Sequence, residues 1–194
     1  MTDDQNAKPG NAQELSELTI PGDTRVIELD GWLLAKGFPN NERAYLPSTR
    51  VASGGKPRYE YSSNSSAVSV NASTGQVNIN SEGTAIITVK DQSQPPQTAS
   101  YEIQVTGEHQ TLEYLGSMNW KDANESGQLL TIDQFISLVS RFGPGFPVNG
   151  LAWTVHPQKD QPDVYHSVFM PGGQGTDWGT WSADSASLLV LTVL

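Results

Sequence analysis

The chain has 194 residues, no cysteine and a formal net charge of −10, with 36% hydrophobic and 16% charged residues. Without cysteine, a disulfide, a zinc–thiolate site and a cysteine nucleophile are all excluded. The acidic balance repels phosphate, which disfavours nucleic acid and anionic membranes as partners.

The first fourteen residues are polar and acidic. They lack the basic and then apolar pattern of a signal peptide. No apolar run in the chain reaches the roughly 18–20 residues that a bilayer-spanning helix needs. We therefore expect residues 1–14 to be a disordered tail or a remnant of expression, and we expect no direct membrane insertion of this fragment.

Strand patterns dominate from residue 15 to about residue 106. The predicted strands are ELTI (17–20), RVIEL (25–29), YEYSS (59–63), AVSV (67–70), QVNIN (76–80), TAIITVKD (84–91) and ASYEIQV (99–105). Apolar residues alternate with polar ones in these segments, and TAIITVKD, the most apolar, is predicted to be central. Short strands separated by turn residues about 8–12 positions apart are typical of a β-sandwich.

Helical patterns appear only after Gly107. Thr131 and Gln134 form a predicted capping box at the start of a helix that Gly143-Pro144-Gly145 ends. A shorter helix is predicted from Trp120 to Ser126, with Asn119 as its N-cap. Strands return in LAWTV (151–155), YHSVFM (165–170) and SLLVLTVL (187–194), so the second half is predicted to be α+β.

The first half resembles the bacterial group-2 immunoglobulin-like domain. The residues that carry the resemblance are the serine-rich strand from Tyr61, then AVSV, then Gly75-Gln76-Val77 and the segment GTAIITV (83–89). Residues 31–46, GWLLAKGFPNNERAYL, are similar to a segment found beside adhesin tips. This resemblance implies an immunoglobulin-like domain over residues 15–107.

The second half resembles the C-type-lectin-like module of intimin and invasin-type bacterial adhesins. The resemblance rests on MNWKDA (118–123), LLTIDQF (129–135), AWTV (152–155), YHSVFM and the final LLVLTVL. Leu130 replaces the usual proline, and the cysteine pair of the family is absent. The resemblance implies a lectin-like domain with two helices over residues 108–194, and hence a mainly β, two-domain chain.

Together the two modules imply a non-enzymatic adhesin tip on the bacterial surface. The family places an outer-membrane anchor and a stalk upstream of such a tip. The partner would be a host cell-surface protein or a surface glycan, and we expect a monomer. The immunoglobulin-like domain would serve as a rigid spacer, because no flexible linker separates the two domains.

Binding residues are expected in two loops of the second domain, roughly residues 156–165 and 171–182. Exposed tryptophans contribute large contact area at low entropic cost, and loops held by strands lose little entropy on binding. Trp120 and Trp153 are expected in the core. The candidate binding residues are His156, Asp163, Tyr165, Gln174, Asp177, Trp178 and Trp181.

The alternative is a lectin or a phage tail-fibre tip that recognises a sugar, with or without calcium. Gln161-Pro162-Asp163 resembles the galactose-type calcium triplet of animal C-type lectins, but the downstream triplet reads Thr176-Asp177-Trp178, which is the wrong order. His156 and His166, with Asp160 and Asp163 between them, lack metal-ligand spacing. We therefore predict no metal site. We also predict no cofactor and no enzymatic activity, since no G-x-S-x-G or phosphate-loop motif occurs.

Overall fold

A computed structural model describes residues 15–35, 37–46, 48–158, 161–170, 178–182 and 187–194. For residues 156–158, 161–166, 168–170 and 178–182 it describes the backbone alone. The strands are β1 (Arg25–Glu28), β2 (Gly31–Leu34), β3 (Glu60–Ser63), β4 (Val68–Val70), β5 (Val77–Ile79), β6 (Gly83–Lys90), β7 (Thr98–Thr106), β8 (His109–Met118), β9 (Gln128–Leu129), β10 (Gly150–Gln158), β11 (Gln161–Met170), β12 (Trp178–Ser182) and β13 (Leu188–Val193). The helices are α1 (Glu42–Tyr45), α2 (Trp120–Ser126) and α3 (Ile132–Phe142), and a 3-10 turn (Gly143–Gly145) follows α3.

Strands β1, β7, β6 and β3 form the N-terminal sheet in that order, and β4 pairs with β5 in a separate two-stranded sheet. Alternation buries one side of each long strand, including Ile87 on β6 and Ile103 on β7. Strand β6 lies between two neighbours, as the sequence predicts. The predicted strand ELTI is wrong: this segment makes one isolated bridge, from Thr19 to Ser53.

The C-terminal sheet has the order β12-β11-β10-β13-β8-β2, and β9 pairs with β13 off this path. Helices α2 and α3 begin as predicted. The Asn119 side chain accepts a hydrogen bond from the Asp122 N–H at 2.9 Å. Thr131 and Gln134 form the reciprocal capping box, with distances of 3.2 and 2.8 Å.

Strand β2 belongs to both halves of the molecule. It pairs in parallel with β8 at the edge of the C-terminal sheet. Trp32 and Leu34 pack in the C-terminal core, with Leu138 of α3 among its members, whereas Leu33 between them packs in the N-terminal core. The sequence analysis places residues 31–34 in the immunoglobulin-like domain. A division at residues 107/108 stays a prediction, and β2 reaches across it.

Two side chains bond to the outer edge of β2. The Tyr45 hydroxyl accepts a hydrogen bond from the Leu34 N–H at 2.7 Å and donates one to the Trp32 carbonyl at 3.0 Å. The Asn41 carboxamide donates to the carbonyls of Leu34 and Ile79, and it accepts from the Ile79 N–H at 2.9 Å. Asn41 therefore joins β2 to β5 of the N-terminal half.

The fold class predicted from the sequence is confirmed: a mainly β chain in which a sheet pair is followed by an α+β half with two helices. None of the helices in the described part of the chain is both long and apolar enough to cross a bilayer.

Candidate receptor-binding surface

The candidate residues lie on the three strands at one edge of the C-terminal sheet. His156 is on β10, Asp163 and Tyr165 are on β11, and Trp178 and Trp181 are on β12. Gln174 and Asp177 lie outside the described residues. Their assignment to the binding surface stays a prediction.

The strand register brings part of this set together. Tyr165 pairs with Pro157 of β10 on one side and with Trp181 of β12 on the other. The backbone positions of Pro157, Tyr165 and Trp181 therefore form one row across three strands, and His156 directly precedes Pro157. Trp178 pairs with Val168 instead, three positions further along β11 and away from the β10–β11 turn.

The expectation of an open loop over residues 156–165 is wrong for most of that segment. Strand β10 continues to Gln158 and β11 begins at Gln161, so the segment is the end of a hairpin. Its register shifts at Pro157, where a proline cannot donate to the ladder. Pro157 and Gln158, which are typical of a loop, lie instead on a locally irregular strand pair.

Two tryptophans anchor β10 to the rest of the C-terminal half. Trp153 of β10 is 0% exposed, and its indole N–H donates to the Met118 carbonyl at 2.9 Å. The indole N–H of Trp120 donates to the Thr154 carbonyl at 3.0 Å. Both tryptophans pack in the core cluster around Ala123, as predicted. These contacts tie β10 to β8 and to α2.

One buried hydroxyl of the neighbouring strand β11 has no hydrogen-bond partner in the described part of the chain. Ser167 of β11 is fully buried opposite Trp153, and its Oγ makes no hydrogen bond to any described residue. A buried hydroxyl without a partner costs free energy. Sequence alone gives no signal for it, because Ser167 fits an ordinary alternating strand.

The described residues contain no group of three or more His, Asp or Glu side chains that could hold a metal ion. The side chain of Asp163, from the triplet of the calcium alternative, lies outside the described set, as do those of His156, Asp160 and His166, which are separate candidate metal ligands. The absence of metal and of catalysis at this surface stays a prediction.

A second surface feature is a groove where the two halves of the chain meet. It has a volume of about 580 Å³, and Arg43, Gln76 and Asn149 are among its lining residues. We call it the junction groove. The sequence analysis does not predict it. Two similar pentapeptides, residues 37–41 and 145–149, contribute residues to its lining.

Comparison with known proteins bears on the chain as a whole. Residues 43–93 match the family model described as intimin, immunoglobulin-like domain. The crystal structure of an intimin mutant from EHEC O157:H7 aligns with 93% of this chain and 100% of its own, at 19% identity and a TM-score of 0.53. The chain resembles an intimin-type adhesin fragment. The resemblance predicted from the sequence is confirmed, and the structural likeness supports the intimin fold.

Two further solved structures contain intimin with a partner. The C-terminal 282-residue fragment of intimin, in complex with the intimin-binding domain of the translocated intimin receptor, aligns with 92% of this chain and 67% of its own, at 22% identity and a TM-score of 0.49. An intimin–Tir90 complex aligns with 91% of this chain and 99% of its own, at 18% identity and a TM-score of 0.48. No curated protein sequence matches the chain.

Proposed function

We propose that this chain is the receptor-binding tip of a bacterial surface adhesin and that it is not an enzyme. The intimin family match over residues 43–93 carries the proposal, and the intimin fold over most of the chain supports it. An intimin-type protein is a surface adhesin, so this tip would be anchored through regions outside this chain. A monomeric tip is sufficient for that role.

The proposed partner is a protein on the host cell. Intimin is held in complex with its translocated receptor in two of the solved structures described above. We extend that class of partner, a receptor protein, to this chain as part of the proposal. A surface glycan is the alternative partner.

The proposed binding surface is the β10–β11–β12 edge with the connections beside it. The row that contains Tyr165 and Trp181 gives this surface its centre. Tyrosine and tryptophan are the residues that most often dominate protein interfaces. His156, Asp163, Gln174, Asp177 and Trp178 complete the proposed set.

The N-terminal half is proposed as a rigid support for this surface. The shared strand β2 and the Asn41 bridge leave no free linker between the halves. Arg141 of α3 adds a hydrogen bond from Nη2 to the Glu28 carbonyl at 3.0 Å, and its Nε lies 3.6 Å from an Asp30 carboxylate oxygen. A rigid support keeps the tip oriented away from its anchor.

Binding of the fluorescently labelled chain to cultured mammalian cells tests the proposal. We expect saturable binding that protease treatment of the cells removes and that glycosidase treatment leaves in place. Trp181→Ala should weaken binding at least about tenfold, as expected for a central interface aromatic. Val26→Ala, at an exposed apolar position on β1, is the control and should bind as the unaltered chain does.

Three results would contradict parts of this proposal. Binding that survives protease but is lost after glycosidase would favour a glycan. Calcium-dependent binding on a glycan array that Asp163→Ala abolishes would establish the lectin alternative. Turnover of any substrate, lost on a single polar substitution, would show an enzyme.

A further inference from the structure

Two pentapeptides of the chain, one in each half, are identical at four of five positions. Residues 37–41 read GFPNN and residues 145–149 read GFPVN. The first copy follows β2, and the second follows α3. The rings of Phe38 and Phe146 meet edge to face, with centroids 5.6 Å apart and an interplanar angle of 77°. The two copies therefore face each other, and the junction groove lies beside them.

The groove has an unusual charge for this molecule. No acidic side chain is among the described residues that line it, although the chain has 21 Asp and Glu and a net charge of −10. Arg43 is the one positively charged side chain among the described residues that line the groove. Glu42, the nearest acid along the chain, is buried and accepts a hydrogen bond from the Thr49 hydroxyl at 2.7 Å. That carboxylate is engaged with Thr49.

Arg43 differs from three of the other arginines. The guanidinium groups of Arg25, Arg50 and Arg141 each donate to a backbone carbonyl. Arg43 is exposed and has no hydrogen bond, ion pair or ring contact to another residue that the structure describes. A guanidinium presents a planar set of donors that matches a carboxylate with two parallel hydrogen bonds.

The walls around Arg43 are stiff. Pro39, Pro144 and Pro147 line the groove and fix the backbone there. Gly145 lets the two walls approach, because a Cβ at that position would lie 3.3 Å from the Arg43 carbonyl oxygen. Phe146 is anchored by ring contacts to Phe38 and Phe142. A preformed groove loses little entropy when a ligand enters it.

We propose that the junction groove binds a glutamate or aspartate side chain of an acidic peptide segment, with Arg43 as the partner of the carboxylate. Asn40, Gln76 and Asn149 line the same groove, and their carboxamides supply donors and acceptors for the peptide backbone. A peptide fits better than a sugar. The aromatic residue of the lining, Phe146, is 4% exposed, which leaves no ring face there for a sugar to stack on.

This site is a second contact, separate from the β10–β12 edge. It does not depend on the adhesin proposal, because an acidic peptide can be tested without a cell or a receptor. If the adhesin proposal also holds, the groove would let a protein partner touch both halves of the tip.

NMR titration of the ¹⁵N-labelled chain tests the site. The probe is the capped peptide acetyl-Gly-Glu-Gly-amide, and its neutral control is acetyl-Gly-Gln-Gly-amide. We expect the acidic peptide to shift the Arg43 side-chain signal and the carboxamide signals of Gln76 and Asn149, and the neutral peptide to leave them unchanged. Arg43→Gln should weaken the binding at least about tenfold, since it removes a charge-assisted bidentate contact.

Two further variants keep the result interpretable. Arg58→Gln removes the same charge from another exposed arginine, at a position distant in sequence from both pentapeptides, and should bind as the unaltered chain does. Arg43→Lys should retain part of the affinity, and a dispersed amide spectrum shows that each variant is folded. Equal loss in Arg58→Gln, equal shifts with the neutral peptide, or binding of sialic acid in place of the peptide would each overturn the proposal.

Discussion

At the residue scale, Tyr45 takes the place of a missing neighbour strand. Its hydroxyl accepts from one backbone N–H of β2 and donates to one backbone carbonyl, as a peptide group of a further strand would. Burial is the largest influence on this phenol and raises the pKa of Tyr45 well above its usual range, although the Leu34 N–H lowers it in part. The group therefore stays neutral and can donate at every physiological pH.

Tyr45→Phe should destabilise the chain by about 1–3 kcal/mol, because two buried backbone groups lose their partner while the ring packing remains. Urea unfolding followed by circular dichroism measures the change. Tyr114→Phe is the matched control, since no hydrogen bond joins the Tyr114 hydroxyl to another described residue, and it should stay within about 0.5 kcal/mol of the unaltered chain. An equally small effect of Tyr45→Phe would show that water replaces the phenol at this edge.

For Ser167 we expect no loss of stability when the hydroxyl is removed, in contrast to Tyr45. Removing its buried hydroxyl, which has no hydrogen-bond partner among the described residues, should leave stability unchanged or raise it by up to about 1 kcal/mol. Ser167→Ala is compared by urea unfolding with Ser69→Ala, an exposed strand serine. A clear loss of stability in Ser167→Ala alone would reveal a hydrogen bond to one of the residues beyond the described set.

At the element scale, Asp91 organises the connection between β6 and β7. Its carboxylate accepts hydrogen bonds from the backbone N–H groups of Lys56, Ser93 and Gln97, and from the Ser93 hydroxyl. Burial alone would raise the pKa of Asp91, but these hydrogen bonds outweigh it and lower the pKa from 3.8 to about 2. The charged carboxylate thus stabilises the folded connection.

A lowered pKa in the folded chain sets the sign of the pH dependence. The stability that Asp91 contributes is fully present above its ordinary pKa, and it is lost as the pH falls from about 4 towards about 2. Asp91→Asn should remove this part of the acid dependence and lower stability at pH 7. Thermal melts between pH 2 and pH 7 measure it, and Glu125→Gln, at an exposed position on α2, should keep the unaltered profile.

Sequence predicts those elements whose signals are local. Helix α3 is one example, because Thr131 and Gln134 bond to each other's backbone within a single turn. The alternation of β6 and β7 is another, since each strand shows its buried face in its own residues. The two helices and most strands of the N-terminal half follow from such signals, whereas β8, β9 and β12 of the C-terminal half are not predicted from the sequence.

Strand β2 and the β10–β11 hairpin show where local signals fail. GWLL is short and lacks alternation, and its partner β8 follows much later in the chain, so nothing in residues 31–34 reveals the pairing. In the hairpin, polar residues and Pro157 are typical of loops, but pairing with β11 and β12 extends the strand through them. The sequence analysis could name the segments 156–165 and 171–182 as the candidate site. That Pro157, Tyr165 and Trp181 lie in one row across three strands became evident only from the strand register.

At the scale of the whole molecule, the two cores are expected to unfold together. Leu33 and its neighbours in β2 enter different cores, so neither core can open without disturbing that strand. The chain offers a direct probe: its five tryptophans are Trp32, Trp120, Trp153, Trp178 and Trp181. All five lie on β2 or in the C-terminal half. Tryptophan fluorescence therefore reports on the C-terminal sheet, and circular dichroism reports on both.

In the unaltered chain, the two signals should give one coincident urea transition. Asn41→Ala removes the bridge between β2 and β5 and leaves buried backbone groups without partners, at about 1–3 kcal/mol for each group. We expect the fluorescence and circular dichroism transitions to separate in this variant. Asn64→Ala, which removes a side-chain hydrogen bond to the Ile86 N–H inside the N-terminal half, should keep them coincident. Coincident transitions in Asn41→Ala would show that the remaining contacts couple the halves without the Asn41 bridge.

The pairing of β2 with the later strand β8 also has a consequence during synthesis of the chain. Strand β8, which lies beside Trp32 and Leu34 in the folded chain, is translated only after every strand of the N-terminal sheet. Until then a nascent chain carries these apolar side chains without β8 beside them, and a fragment that ends at residue 107 would stay in that state. We therefore expect the N-terminal half produced alone to be less soluble than the two halves produced together.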